Sequence, residues 1–258
     1  MNTYPAKVGA VVLAGGSVPV TLAPLCAHRA LLRLNGRYLL EYLLDTLKGM
    51  PSVVETVIVA PDEALSELCE LPGRKASAGA TLVDNMRRGM RALSDFQPTH
   101  YLFATGDIPL VTVEGLEAYL QDSLASGAAL TYPIIPQQAS ERRFPGAKRT
   151  YVRLREGTFT GGNVILTEAR LLDDKHALIQ ELYNARKKPL ALAGLLGWPT
   201  VLRMLLGTLT LPYLESVASR ILGAPSRAII TPHAEIGFDV DKVDDLHAVE
   251  RAMAAQTS

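Results

Sequence analysis

Residues 8–14 (VGAVVLA) carry no polar side chain and stop on Gly15-Gly16. A short run of small and β-branched residues without polar alternation suits a strand covered on both faces, as in a parallel sheet packed between helices. Ending such a strand on two glycines leaves bare backbone N–H groups at the sheet edge. A phosphate or a base edge can approach them where any Cβ would collide. A second apolar run, residues 101–110 (YLFATGDIPL), contains one carboxylate near its end, Asp107. Together the two runs predict one nucleotide site at the C-terminal edge of a sheet, with Asp107 placed to hold a metal.

Amphipathic segments alternate with these strands. Leu39, Leu40, Leu43, Leu44 and Leu47 share one face of a helix predicted over 38–47. Residues 55–60 read as a strand, and Pro61-Asp62 opens a helix through Leu68. Ser77 or Thr81 opens a helix over 82–93, followed by a strand at 100–105, a helix near 113–126 and a strand at 129–134. This β-α alternation predicts a mostly parallel sheet with right-handed crossovers. After Pro136 the stretch 137–149 is polar and basic, expected as a loop over the site. Residues 150–154 and 158–166 read as strands about a Glu156-Gly157 turn, 167–222 as mainly helical, 227–231 as a last strand and 243–254 as a closing helix. With no repeat and no low-complexity linker, the expectation is one α/β domain over 1–258. Residues 1–136 form its nucleotide-binding half, 137–225 an acceptor-side insertion of β-ribbon and helices, and 226–258 the closing strand and helix.

Composition bounds the function classes. At 258 residues and 48 % apolar content the chain can bury a full core. Twenty-six basic and 26 acidic residues cancel, with pI near 7.0, which argues against nucleic acid as a partner but leaves room for a local anion site. Two cysteines, Cys26 and Cys69, have neither metal-ligand spacing nor scaffold density, so a reducing cytoplasm is expected. The first residues show no charged leader, so no signal peptide is expected. The apolar stretch 190–214 is broken by Pro199, Arg203, Pro212 and three glycines, so no membrane span and no membrane partner are expected. The helical region 190–222 either packs on the core or presents an apolar face to a partner, a homo-oligomer among the options.

Leu13-Ala14-Gly15-Gly16 lacks both the Gly-x-Gly-x-x-Gly spacing of a dinucleotide fold and the Gly-Lys-Ser/Thr of a phosphate loop. The residues beyond it sharpen the reading: a cation, Arg29, then a short apolar stretch, an Asn35-Gly36 turn and a helix. A cation there can counter a triphosphate lying on the glycines. Asp239 and Asp241, two residues apart on one side of an extended segment, are the candidates for a second metal ligand beside Asp107. For each aspartate the bland alternative is a turn or helix cap.

At these residues the chain resembles the sugar-phosphate and cofactor nucleotidyltransferases of glycosyltransferase-A-like fold, closest to their molybdenum-cofactor nucleotidyltransferase-like branch. Leu13–Gly16 and Arg29–Leu40 match its opening motif, and residues 79–89 (GATLVDNMRRG) its base-recognition segment. Residues 105–110 match its metal-binding strand end, and residues 238–246 (FDVDKVDDL) its closing aspartate motif. The resemblance implies a nucleotide-diphospho-sugar transferase architecture, Rossmann-like, with a mostly parallel or mixed central sheet flanked by helices. It implies nucleotide contacts from Leu13, Ala14, Gly15, Gly16, Arg29, Gly79, Thr81, Asn85 and Gly106, acceptor contacts from Gly162 and Asn163, Mg²⁺ on Asp107 and on Asp239 or Asp241, and catalytic roles for Arg29 and Asp107. Two departures stand out. The loop 17–27 is apolar where the family has Gly and Arg, and Arg29 behind His28 replaces the Lys of Pro-Lys.

The expected activity is Mg²⁺-dependent transfer of a nucleoside monophosphate from a nucleoside triphosphate to a phosphorylated small-molecule acceptor, with release of pyrophosphate. The alternative is a nucleotide-binding or regulatory protein of the same fold that has lost catalysis. A nucleotide-sugar glycosyltransferase would show Asp-x-Asp where residues 106–109 offer a single Asp. The basic residues Arg142, Arg143, Lys148 and Arg149 and the run 186–188 are either solvated or contacts for an acidic acceptor. The five histidines share no metal spacing.

Overall fold

The computed structural model describes residues 6–185 and 196–257. β1 (Val8–Leu13) lies between β4 (Val53–Ala60) and β6 (His100–Thr105), parallel to both, and β5 (Arg74–Ser77) extends the parallel edge beyond β4. On the other side of β6 the order continues through β10 (Val164–Glu168), β7 (Leu130–Pro136), β9 (Gly157–Gly161) and β8 (Val152–Leu154). β10 is antiparallel to β6 and β7, and β11 (Ser226–Ile230) runs parallel to β7. The described residues thus form a mixed nine-stranded sheet. A separate ribbon of β2 (Arg33–Leu34) and β3 (Arg37–Tyr38) turns on Asn35-Gly36.

Strand alternation sorts the core into two layers. Val8, Ala10 and Val12, with Ile58, Ala60, Leu102 and Ala104, pack with α1 (Leu39–Lys48) and α4 (Val113–Ala125) through Leu40, Leu43, Leu47, Leu116 and Tyr119. Val11, Val57, Val59 and Phe103 join Met86 and Met90 of α3 (Leu82–Ala92) and Leu172 of α6 (Ala169–Ala185) in a second cluster. α2 (Asp62–Glu67) follows β4 directly. A third cluster explains the apolar loop 17–27. Leu22 is fully buried among Leu32, Phe144, Phe238, Val240 and Leu246, and Val18 and Cys26 pack against the same group. The loop therefore docks on the closing segment that precedes α9 (Val243–Thr257).

Three expectations are corrected. Residues Gln137–Arg143 form a helix, α5, rather than a loop, with buried Ser140 turned inward. The strand expected over 158–166 is two strands. Gly162 N–H donates to the Pro133 carbonyl and Asn163 N–H to the Ile236 carbonyl, so the ladder breaks there and β10 inserts between β6 and β7. β5 was not foreseen, since Arg74-Lys-Ala-Ser77 has no apolar pattern; it forms because the edge of β4 is free to pair. The described part of the apolar 190–214 stretch is α7 (Trp198–Leu205) and the start of α8 (Leu211–Leu222). Among the described residues no helix is long and apolar enough to cross a membrane.

Candidate active site

A cleft of about 820 Å³ opens at the C-terminal ends of β1 and β6. Ala14 N–H still follows the ladder, donating to the Val59 carbonyl at 2.8 Å, and the chain then leaves the sheet at Gly15-Gly16. A Cβ on Gly15 would lie 3.0 Å from both the Ala78 methyl and the Asn85 amide nitrogen, so the loop packs there because the residue is glycine. Buried Asn85 accepts from Gly79 N–H through Oδ1 at 2.6 Å and so pins the second loop beside the first. Thr81 caps α3, its hydroxyl accepting from Asp84 N–H at 3.1 Å. Gly106 N–H donates to the Leu13 carbonyl at 3.0 Å. Leu13, Ala14, Gly15, Gly16, Gly79, Thr81, Asn85 and Gly106 all line this one cleft.

The acidic centre forms where β6 ends. Val240 N–H donates to the Asp107 carbonyl at 3.0 Å, a backbone tie that carries the closing segment to the cleft. One carboxylate oxygen from each of Asp107, Asp239 and Asp241 lies within 4.8 Å of the others. Asp107 is 8 % exposed, and among the described residues its Oδ1 has no hydrogen-bond partner. Arg29 enters from a short 3-10 turn, Arg29–Leu31. Its Nη2 contacts Asp107 Oδ2, bonds Asp241 Oδ1 at 2.6 Å and donates to the Val240 carbonyl at 3.0 Å. Arg149 holds Asp239. Its guanidinium bonds Asp239 Oδ1 at 2.5 Å and the Asp239 carbonyl at 3.2 Å, and it lies 4.3 Å from the Phe238 ring centre. Asp245 Oδ2 accepts from the N–H groups of Asp241 and Lys242, fixing the turn between them.

Electrostatics at the centre follow from burial. Loss of water pushes the Asp107 carboxyl up to about 6 against the pull of Arg29, with Asp239 adding to the rise. At Asp241 burial also raises the carboxyl, but the hydrogen bond and charge of Arg29 outweigh it, and the group ends below the usual range. Hard oxygen donors, one of them buried and unpartnered, fit a divalent cation of the Mg²⁺ type.

On the other wall Tyr132 donates its hydroxyl to the Gly162 carbonyl at 2.8 Å, and Asn163 accepts from Thr105 N–H through its carbonyl at 3.1 Å. Both backbone groups of Asn163 are engaged, and the residue lines the cleft half-buried. Sequence reasoning missed Tyr132 and Gln180, which line the same cleft. Neither sits in a motif, and Gln180 arrives by packing of α6 on α3, where it accepts from Val83 N–H at 3.3 Å. Arg149 was legible as one of a basic group, but not as the partner of Asp239. The basic run 186–188 lies outside the described residues.

A mixed α/β sheet with this cleft at its C-terminal edge is the nucleotide-diphospho-sugar transferase fold. The chain belongs to the MobA-like NTP transferase domain family, whose model matches residues 10–206. Asp239 and Asp241 lie beyond the matched segment. A hypothetical transferase from Thermus thermophilus is 38 % identical, with TM-score 0.82, over 93 % of this chain and 99 % of its own. A 2-C-methyl-D-erythritol 4-phosphate cytidylyltransferase from Neorickettsia sennetsu is 29 % identical over 137 residues, 50 % of this chain. The chain thus spans little more than half, 58 %, of that relative's length. The 4-diphosphocytidyl-2C-methyl-D-erythritol synthase of Anaerococcus prevotii shares the fold at 13 % identity, with TM-score 0.59 over 98 % of this chain and 97 % of its own.

Proposed function

We propose that this protein is a Mg²⁺-dependent nucleotidyltransferase. It joins the nucleoside monophosphate part of a nucleoside triphosphate to a phosphorylated small molecule, a sugar phosphate or a cofactor, and releases pyrophosphate. The observation that carries this reading is the buried, half-unpartnered Asp107 beside Asp239 and Asp241, at the mouth of a glycine-lined cleft. In such a transfer an acceptor phosphate oxygen bonds to the α-phosphorus while the bond to pyrophosphate breaks, and the electron pair leaves with pyrophosphate. The protein's share is alignment and charge. The Gly15-Gly16 backbone receives the phosphates, the Gly79–Thr81 loop and the Asn85 amide face the base, and Gly162 and Asn163 line the acceptor wall. Asp107, Asp239 and Asp241 would hold Mg²⁺, which when bound offsets charge on the phosphates.

A panel of nucleoside triphosphates in a thermal-shift assay, with and without Mg²⁺, tests the reading. CTP is the first to try, given the cytidylyltransferase name of the Neorickettsia relative. One triphosphate is expected to raise the melting temperature with Mg²⁺, and Asp107→Ala to abolish the rise. If no triphosphate at millimolar concentration stabilises the protein, the proposal fails. Pyrophosphate release with a panel of phospho-sugars then separates an enzyme from the second reading, a binder without transfer. That second reading is favoured by the engagement of Arg29 with two carboxylates and the Val240 carbonyl. We further propose a cytoplasmic homo-oligomer. Trp198, Leu202 and Leu205, which share one face of α7, are exposed and support self-association.

A further inference from the structure

Arg29 Nη2 is surrounded by three oxygens, from Asp107, Asp241 and the Val240 carbonyl. Two of the three belong to the carboxylate cluster suited to a divalent cation. A nitrogen bonded to both carboxylates occupies the space between them, and a divalent ion placed there would sit within contact distance of a guanidinium. At that separation in a buried site, like charges repel strongly, so ion and guanidinium compete for the same oxygens. Among the described residues the buried Asp107 Oδ1 has no partner, so Arg29 satisfies this carboxylate only in part. The Arg29 stem also runs beside the glycine loop: a Cβ on Gly16 would lie 3.9 Å from Arg29 Cδ. A polyphosphate lying on Gly15-Gly16 would therefore be within a side-chain rotation of the guanidinium, and phosphate oxygens compete well for its planar fork.

We infer that Arg29 is an internal stand-in cation that closes the Asp107–Asp241 pair in the nucleotide-free protein and exchanges it for a divalent ion when a polyphosphate arrives. The inference rests on the nucleotide-handling reading of the cleft. Linkage gives it two consequences. The free protein binds divalent cations weakly, and triphosphate and cation bind with positive coupling, because the nucleotide draws off the group that competes with the ion. Arg29 thus acts through the carboxylates as well as on phosphate. That is one physical reason for an arginine, with its long reach and permanent charge, at this position.

Manganese binding without turnover tests the exchange, read from the electron paramagnetic resonance signal of free Mn²⁺. Arg29→Gln in the nucleotide-free protein is expected to bind Mn²⁺ about tenfold or more tightly than the unaltered protein. Adding Asp107→Asn to that variant is expected to remove the gain. A non-hydrolysable triphosphate analogue is expected to tighten Mn²⁺ binding in the unaltered protein and to do so much less in Arg29→Gln. If Arg29→Gln does not fold, as judged by circular dichroism, Arg29→Met keeps the apolar stem and takes its place. Mn²⁺ affinity that is unchanged or lower without the guanidinium overturns the inference, and leaves triphosphate stabilisation of the unaltered protein standing on its own test. Tightening through Asp107 in a protein that no triphosphate stabilises overturns the transferase reading and the exchange with it, and leaves only the competition of guanidinium and ion for the carboxylates.

Discussion

Asp107 shows what this site costs the fold. Burial raises its carboxyl from the ordinary value near 3.8 to about 6 even with Arg29 in contact. A carboxyl whose folded value lies above its unfolded one destabilises the protein fully above about pH 6. The penalty fades as pH falls towards the unfolded value. A rise of that size corresponds to about 3 kcal/mol. In metal-free protein kept in EDTA, Asp107→Asn is therefore expected to raise the stability measured by urea unfolding by about 1–3 kcal/mol at pH 8. The gain should shrink as pH falls through about 6 and vanish only below the unfolded value near 3.8. A variant no more stable than the parent at pH 8 would show that Arg29 fully compensates the burial. Such a cost is what a fold carries when a group is retained for ligand binding rather than for packing.

At the scale of elements, α3 matters most, because it carries Asn85 and is capped by Thr81. It lies so close to β1 that a Cβ on Gly89 would meet Val11 Cγ1 at 2.3 Å. Gly89→Ala is expected to push the helix off the sheet, lowering unfolding free energy by about 1–3 kcal/mol. It should also weaken triphosphate binding, since Asn85 would lose its grip on Gly79. A thermal melt with and without nucleotide checks both effects. The elements that position this wall were legible in advance. The Leu periodicity of α1, the apolar runs of β1 and β6 and the threonine before α3 are local signals. α5 was missed because its buried Ser140 and its polar faces give no apolar stripe. β5 was missed because an edge strand takes its structure from its neighbour's hydrogen bonds rather than from its own side chains.

Across the whole molecule, self-association through α7 has a built-in reporter, because Trp198 is the single tryptophan and is 69 % exposed. Raising the concentration is expected to shift its fluorescence to the blue together with a rise in sedimentation coefficient, and Leu205→Glu to abolish both. A monomer by sedimentation at all concentrations would dispose of the homo-oligomer. The sequence by itself determined the α/β class and the glycine turn after β1, because strand and helix periodicity and glycine's missing side chain are properties of short segments, and it offered Asp107, Asp239 and Asp241 as candidates. Tertiary structure decided what those groups face. Asp107 and Asp241 are separated by more than half the chain, and they meet because the Val240 N–H bonds the Asp107 carbonyl and Leu22 anchors the apolar loop on Val240 and Phe238. The pairing of Arg29 with two aspartates and of Arg149 with a third is a consequence of that closure. No local pattern encodes which cation reaches which anion when the partners come from distant turns of the fold.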